Sequence, residues 1–256
     1  MKSFSHKAVF TLLLFSLSLF FLYANGEKDV QPLSDEQMNN LPPLQIELPV
    51  ASYKKQKIEG NPETFKEIWG YVSQYRQNDF QPDLPLTDVC IFCAEINCYG
   101  EIINIPTRKC IKDFSGRVHM VLNCDSKSLT HFILDPQYSV RRKIINQLVL
   151  AARLFDGIQL DFEYVPFRDR ENFISFIKEL QKKLGKGKWL SVCVPARISN
   201  ITDDVYPYKR IAQFCDRIIV MAYDEHWSTS APGSVASMDW CRKIAQYSLA
   251  SVPPNK

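Results

Sequence analysis

From residue 88 onward, short apolar runs alternate with stretches whose apolar residues recur at helical spacing. The runs predict strands at 88–96, 117–124, 157–165, 189–196 and 217–224, with "YGEIINI" (99–105) as an additional early one. Between them, 139–155 places Ile144, Ile145, Leu148, Ala151 and Ala152 on one side of a helix. Further helices are predicted over 170–185, closed by Gly185, and over 206–215 and 237–252. Ahead of this region, Phe65, Ile68, Trp69 and Val72 follow a proline at helical spacing, which predicts a short amphipathic helix within 61–75. Near-continuous apolar strands alternating with helices mean a parallel α/β sheet, either doubly wound or a (β/α)8 barrel. No glycine-rich phosphate loop favours the nucleotide-binding type.

The start of the chain reads differently. Lys2 and Lys7 precede the apolar run "AVFTLLLFSLSLFFLYA", and "ANG" supplies small residues, so residues 1–26 are expected to be a cleaved export signal. Residues 27–60 form a polar lead-in broken by "LPPL", leaving 61–256 as the folded domain. No later segment is expected to span a membrane, so the mature protein is expected in the periplasm or outside the cell. With 46% hydrophobic residues and a net charge of +3, the chain can build a core and shows no nucleic-acid footprint. Its eight cysteines read mainly as small core residues. Cys90, Cys93 and Cys98 lack a second pair to complete a zinc site, and no metal or cofactor is expected.

The run "DGIQLDFEYVP" (156–166) sets carboxylates in an apolar strand, where ionised acids are costly unless paired or protonated. Strand alternation puts Gln159, Asp161 and Glu163 on one face and Ile158, Leu160 and Phe162 on the other. With helices on the apolar face, the acids look into a barrel toward its carboxyl-terminal mouth. Two acids two positions apart separate in pKa, which supplies a protonated acid beside a fixed carboxylate. The competing explanation is an internal ion-pair network with Arg197 or Arg217. A second segment, "VMAYDEHW" (220–227), repeats the design, with Met221 and Tyr223 sharing a face.

Together the two segments resemble glycoside hydrolase family 18, the chitinase family, whose fourth strand carries D-G-x-D-x-D-x-E and whose sixth carries M-x-Y-D. The tail from Asp224 resembles the branch of bacterial cell-wall and spore-cortex glycosidases. The resemblance implies a (β/α)8 barrel that cleaves β-linked N-acetylglucosamine polymers, chitin or peptidoglycan strands, with the substrate's own acetamide as nucleophile. It assigns Glu163 as general acid/base, Asp161 as the holder of the acetamide and Tyr223 as the hydroxyl that steadies it. Asp224 would grip a neighbouring sugar, Met221 would pack the pocket floor, and Asp156 is the motif's outer acid, more structural than catalytic. Apart from the resemblance, Trp227 on the following loop is a candidate either to stack on a sugar ring or to pack against the neighbouring loop.

Two departures stand out. Gln159 replaces the middle Asp, and it is expected to hydrogen-bond Asp161 without exchanging a proton. Counting strands, about six β/α units are present, and the last two strands of a barrel are missing, with the Trp the last would bring. A truncated product, or a barrel completed by a partner chain, is therefore expected. A non-catalytic sugar-binding barrel and an inactive fragment remain the alternatives.

Overall fold

The computed structural model describes residues 65–256 apart from Gln74, Gln77, Asn78 and Lys112. The compact unit runs from Pro62 to Lys256. The expected signal and lead-in lie outside the described residues.

Six parallel strands stand side by side in the order β1-β2-β4-β5-β6-β7. They are β1 (Trp69–Ser73), β2 (Asp88–Ile96), β4 (Arg117–Cys124), β5 (Gly157–Phe162), β6 (Trp189–Pro195) and β7 (Arg217–Met221). The two-residue strand β3 (Ile102–Ile103) turns back antiparallel on β2, so "YGEIINI" adds no barrel strand. Helices α1 (Lys127–Leu134), α2 (Ser139–Ala151), α3 (Arg170–Leu184), α4 (Tyr208–Ile211) and α5 (Met238–Ser251) connect the strands. The arrangement is an incomplete β/α barrel: strands in unbroken succession, with the first and the last left as edges.

The segment predicted as a helix within 61–75 is strand β1. Trp69 and Tyr71 alternate with Gly70 and Val72, and the strand pairs in parallel with β2 from Trp69↔Asp88 to Ser73↔Phe92. Aromatic and β-branched residues fit a pleated, half-buried surface, and this packing overrides a weak helical spacing. With β1 in place, "DGIQLDF" is the fourth barrel strand and "RIIVM" the sixth.

The outer face of the sheet carries the core. Ile158, Leu160 and Phe162 are at most 1% exposed beneath Ile144, Ile145 and Leu148 of α2 and Phe173, Phe176 and Ile177 of α3. Gly185 closes α3 at φ 74°, a conformation that glycine adopts without strain. The predicted helix over 206–215 shrinks to the single turn α4, while α1 had no prediction because eight residues are too short a window for a helical period. Ser126 caps α1 by accepting from the Leu129 amide. No helix among the described residues is long and apolar enough to cross a membrane.

The amino-terminal end of the barrel is closed by paired charges. Asp88, fully buried, accepts from Arg117 (2.6 and 2.7 Å), His119 (2.8 Å) and Thr87 (2.7 Å). Burial alone would raise the Asp88 pKa, but these hydrogen bonds hold it well below the usual carboxylate range. Arg217 of β7 pairs with Glu67 just ahead of β1, and both Arg117 and Arg217 lie over the Trp189 ring, at 4.0 and 4.7 Å. This joins the first and last strands across the open side. At the free edge of β7, the Ile218 amide donates to the Lys256 carbonyl at 2.9 Å.

Candidate active site

Strand register decides which side chains meet inside the barrel. Asn123 of β4 lies beside Asp161 of β5, and one layer below, Val121, Gln159 and Ser191 form a row. At the strand ends Cys124 pairs with Phe162, and just past them the Glu163 amide donates to the Cys124 carbonyl at 3.2 Å. Asp125 and Glu163 therefore leave neighbouring strand ends at the same level of the mouth.

Asp161 is 5% exposed, and the Asn123 amide donates to its Oδ2 at 3.4 Å. Its Oδ1 is buried and has no hydrogen-bond partner. Burial raises the Asp161 pKa, only partly offset by hydrogen bonds from Asn123 and the Cys193 thiol. Glu163 sits above it at the exposed rim. Burial first, and then the negative charges of Asp161, Asp125 and Asp224, raise its pKa above the ordinary glutamate value. A carboxyl tuned upward in this way carries a proton further toward neutral pH, as a general acid must.

Tyr223 and Asp224 approach from the end of β7. Burial, followed by the charges of Asp161, Cys193, Glu163 and Asp224, raises the Tyr223 pKa, which keeps its hydroxyl a donor. Asp224 has φ 62°, a left-handed conformation that aspartate tolerates better than most residues. That kink turns the chain out of the strand at the mouth. Met221 ends β7 level with Pro195. Beyond it the loop is tied to itself: Glu225 accepts from the Ser237 amide (2.6 Å) and hydroxyl (3.0 Å), His226 bonds the Ala231 carbonyl (2.8 Å), and the Trp227 indole donates to Thr229 (2.9 Å). Trp227 remains 60% exposed, with its ring face available.

The structure brings together Asp161, Glu163, Tyr223 and Asp224, and sets two expected residues apart. Gln159 lies beneath the site without touching Asp161. It accepts from the Tyr71 hydroxyl at 2.8 Å and donates to Ser191 at 3.0 Å and to the Cys90 sulfur at 3.5 Å. The expected Gln159–Asp161 bond is absent because residues two apart on a strand stand a layer apart, and nearer partners saturate the amide. Asp156, placed among the substrate-binding residues, is at the opposite end of β5. There it accepts from Arg108 (2.6 Å) and the Val118 amide (2.8 Å), a structural position out of reach of the mouth.

The ion-pair explanation holds for Asp156, which pairs with Arg108, but not for the acids at the mouth. Arg197 pairs with Asp204 and Arg217 with Glu67, and among the described residues Asp125, Asp161, Glu163 and Asp224 enter no salt bridge. Asn123 and Asp125 had no place in the sequence reading, and Cys193 figures there only as a small core residue. Asp125 follows a strand directly, and an acid at the carboxyl end of a barrel strand is the signal that could have found it.

The family model described as glycosyl hydrolases family 18 matches residues 67–256. The Bacillus subtilis uncharacterized glycosylase YvbX is 33% identical over 125 residues, which cover 46% of this chain and 36% of that protein. The spore cortex-lytic enzyme SleL of Bacillus cereus superposes with a TM-score of 0.63 at 22% identity, over 73% of this chain and 48% of its own. A chitinase from Chromobacterium violaceum superposes with a TM-score of 0.61 at 24% identity, over 73% and 65%. The chain thus spans half or less of the length of YvbX and SleL.

Proposed function

Because the chain belongs to family 18 of the glycosyl hydrolases, we propose that it hydrolyses β-1,4-linked N-acetylglucosamine chains with retention of configuration, using the acetamide of the reacting sugar. The observation that carries this reading is Asp161: a buried carboxylate oxygen without a hydrogen-bond partner, two residues along the strand from an acid whose pKa its charge helps to raise. An acetamide N–H at that oxygen would satisfy it and aim the carbonyl oxygen at the anomeric carbon. Glu163, protonated, gives its proton to the glycosidic oxygen as the bond to the leaving sugar breaks. It then takes a proton from the water that opens the cyclised intermediate. Tyr223 donates to the acetamide carbonyl, Asp224 binds the adjoining sugar, and Trp227 offers a ring face for stacking.

Uncharged, chitin-type chains are the substrate favoured by electrostatics. The mouth carries four acids outside any salt bridge among the described residues. Such a mouth repels the carboxylates of peptide-bearing glycan strands. Cell-wall glycan is the second reading, favoured by the likeness to a spore cortex-lytic enzyme. Residues 1–26 direct its export. Neither nucleic acid nor cofactor takes part.

The test uses the full chain with fully acetylated and fully deacetylated oligomers, and NMR of the first product. Retention, with cleavage of the acetylated oligomer alone, is expected. Equal cleavage of both, or an inverted product, would refute acetamide participation.

A further inference from the structure

The ladder between β5 and β6 stops at Leu160↔Val192, two residues short of the ladder between β5 and β4. The carbonyls of Phe162 and Glu163 thus pass the end of the β6 ladder, and buried carbonyls need partners. One side chain provides for both. The Tyr206 hydroxyl, on the loop after β6, lies 2.6 Å from the Phe162 carbonyl and 2.7 Å from the Glu163 carbonyl, so its single proton is shared between them. The same oxygen accepts from the Val165 amide at 3.2 Å. Four residues of chain at the end of the fourth barrel strand, from Phe162 to Val165, therefore turn around one phenol oxygen.

The phenol is itself held. Tyr206 is 6% exposed, and its ring meets Phe173 edge-on with centroids 5.7 Å apart. Its amide donates to Asp204 at 3.0 Å, and Arg197 grips Asp204 through two bonds of 2.9 Å. Two residues on, the buried Tyr208 hydroxyl donates to the Pro195 carbonyl at 2.6 Å and closes the end of β6. The two tyrosines are alike in burial and in bonding to a strand end, but only Tyr206 serves the strand that carries Glu163.

We propose that Tyr206 is a positioning residue that fixes the height and direction of Glu163 by clamping its peptide, with Arg197 and Asp204 as the strut behind it. The proposal rests on the reading of Glu163 as the acid, and misplacement of a reacting group by about 1 Å can cost about a hundredfold in rate. It also accounts for Arg197, which pairs with Asp204 and leaves the acids of the mouth without a cation.

The test compares Tyr206→Phe with Tyr208→Phe in the full chain, with two readouts. The first is the titration of the Glu163 carboxyl followed by carbon NMR, which needs no turnover. The second is kcat and KM on an N-acetylglucosamine oligomer. Both variants are expected to melt at lower temperature by similar amounts. Only Tyr206→Phe is expected to release Glu163 toward solvent, lowering its pKa toward the ordinary value, and to lower kcat about tenfold or more with KM little changed. An unmoved Glu163 titration in Tyr206→Phe, or an equal shift in Tyr208→Phe, would overturn the clamp. If Tyr206→Phe does not fold, Asp204→Asn is expected to move the titration the same way by less, and no movement there overturns it as well. A parent chain without turnover refutes the role of Glu163, while the titration still decides the clamp.

Discussion

The two ends of the barrel are built from the same strands and differ in what they do with charge. At the amino-terminal end every prominent acid has a partner: Asp88 has Arg117 and His119, Asp156 has Arg108, and Glu67 has Arg217. At the carboxyl-terminal end, Asp125, Asp161, Glu163 and Asp224 crowd together, Arg197 is bound to Asp204, and burial raises the pKa values of Asp161 and Glu163 where those of Asp88 and Glu67 fall. Paired acids close a structure, whereas unpaired ones keep free energy in reserve for a ligand. Because the sheet is shared, burial alone does not explain the contrast; the placement of cations does.

The largest expected effect comes from the mouth. Glu163→Gln keeps shape and removes the proposed proton donor, so hydrolysis should fall by about 10²- to 10⁴-fold while the melting temperature stays near that of the parent. The opposite pattern belongs to the other end. Asp88→Asn leaves Arg117 and the buried His119 without their carboxylate, at a cost of about 3 kcal/mol in denaturant unfolding, with a smaller effect on turnover.

The acid dependence of stability should separate the ends further. The folded pKa of Asp88 lies below its unfolded value. Its contribution is therefore complete above the ordinary Asp range and is lost as pH falls toward the lower, folded value. Melting temperature against pH should show a steeper acid limb in the parent than in Asp88→Asn. A milder break is Arg217→Met, which removes the link between Glu67 and β7 for about 1 kcal/mol, since both partners are partly solvated. The smallest effect is Asp125→Asn. Removing a negative charge that raises the Glu163 pKa lowers that pKa, so the alkaline limb of the activity profile should move toward acid. An unmoved limb would mean that Asp125 does not act on the acid.

Much of this contrast was legible in the sequence, and the illegible part has physical causes. Asp161 and Glu163 could be placed because a period of two on an apolar strand fixes their face, Tyr223 because the same rule recurs near β7, and Asp224 because the M-x-Y-D resemblance marks the strand end. Strand β1 was misread because Ile68, Trp69 and Val72 satisfy a helical spacing over a short window, and only pairing with β2 decides against it. Gln159 was expected to serve Asp161 because sequence distance hides the layer between them. Tyr71 and Ser191, which hold that amide, come from strands far away in the chain. Tyr206 and Asp125 left no periodic trace, since a clamp and a rim acid act through strand ends that only the folded sheet brings together.

The most direct test is release of reducing ends from N-acetylglucosamine oligomers by the full chain, run beside Glu163→Gln. The account predicts release by the parent and almost none by the variant at matched folding. Equal release by both would contradict the assignment of Glu163, and no release by a folded parent would contradict the claim that this mouth is a glycosidase site.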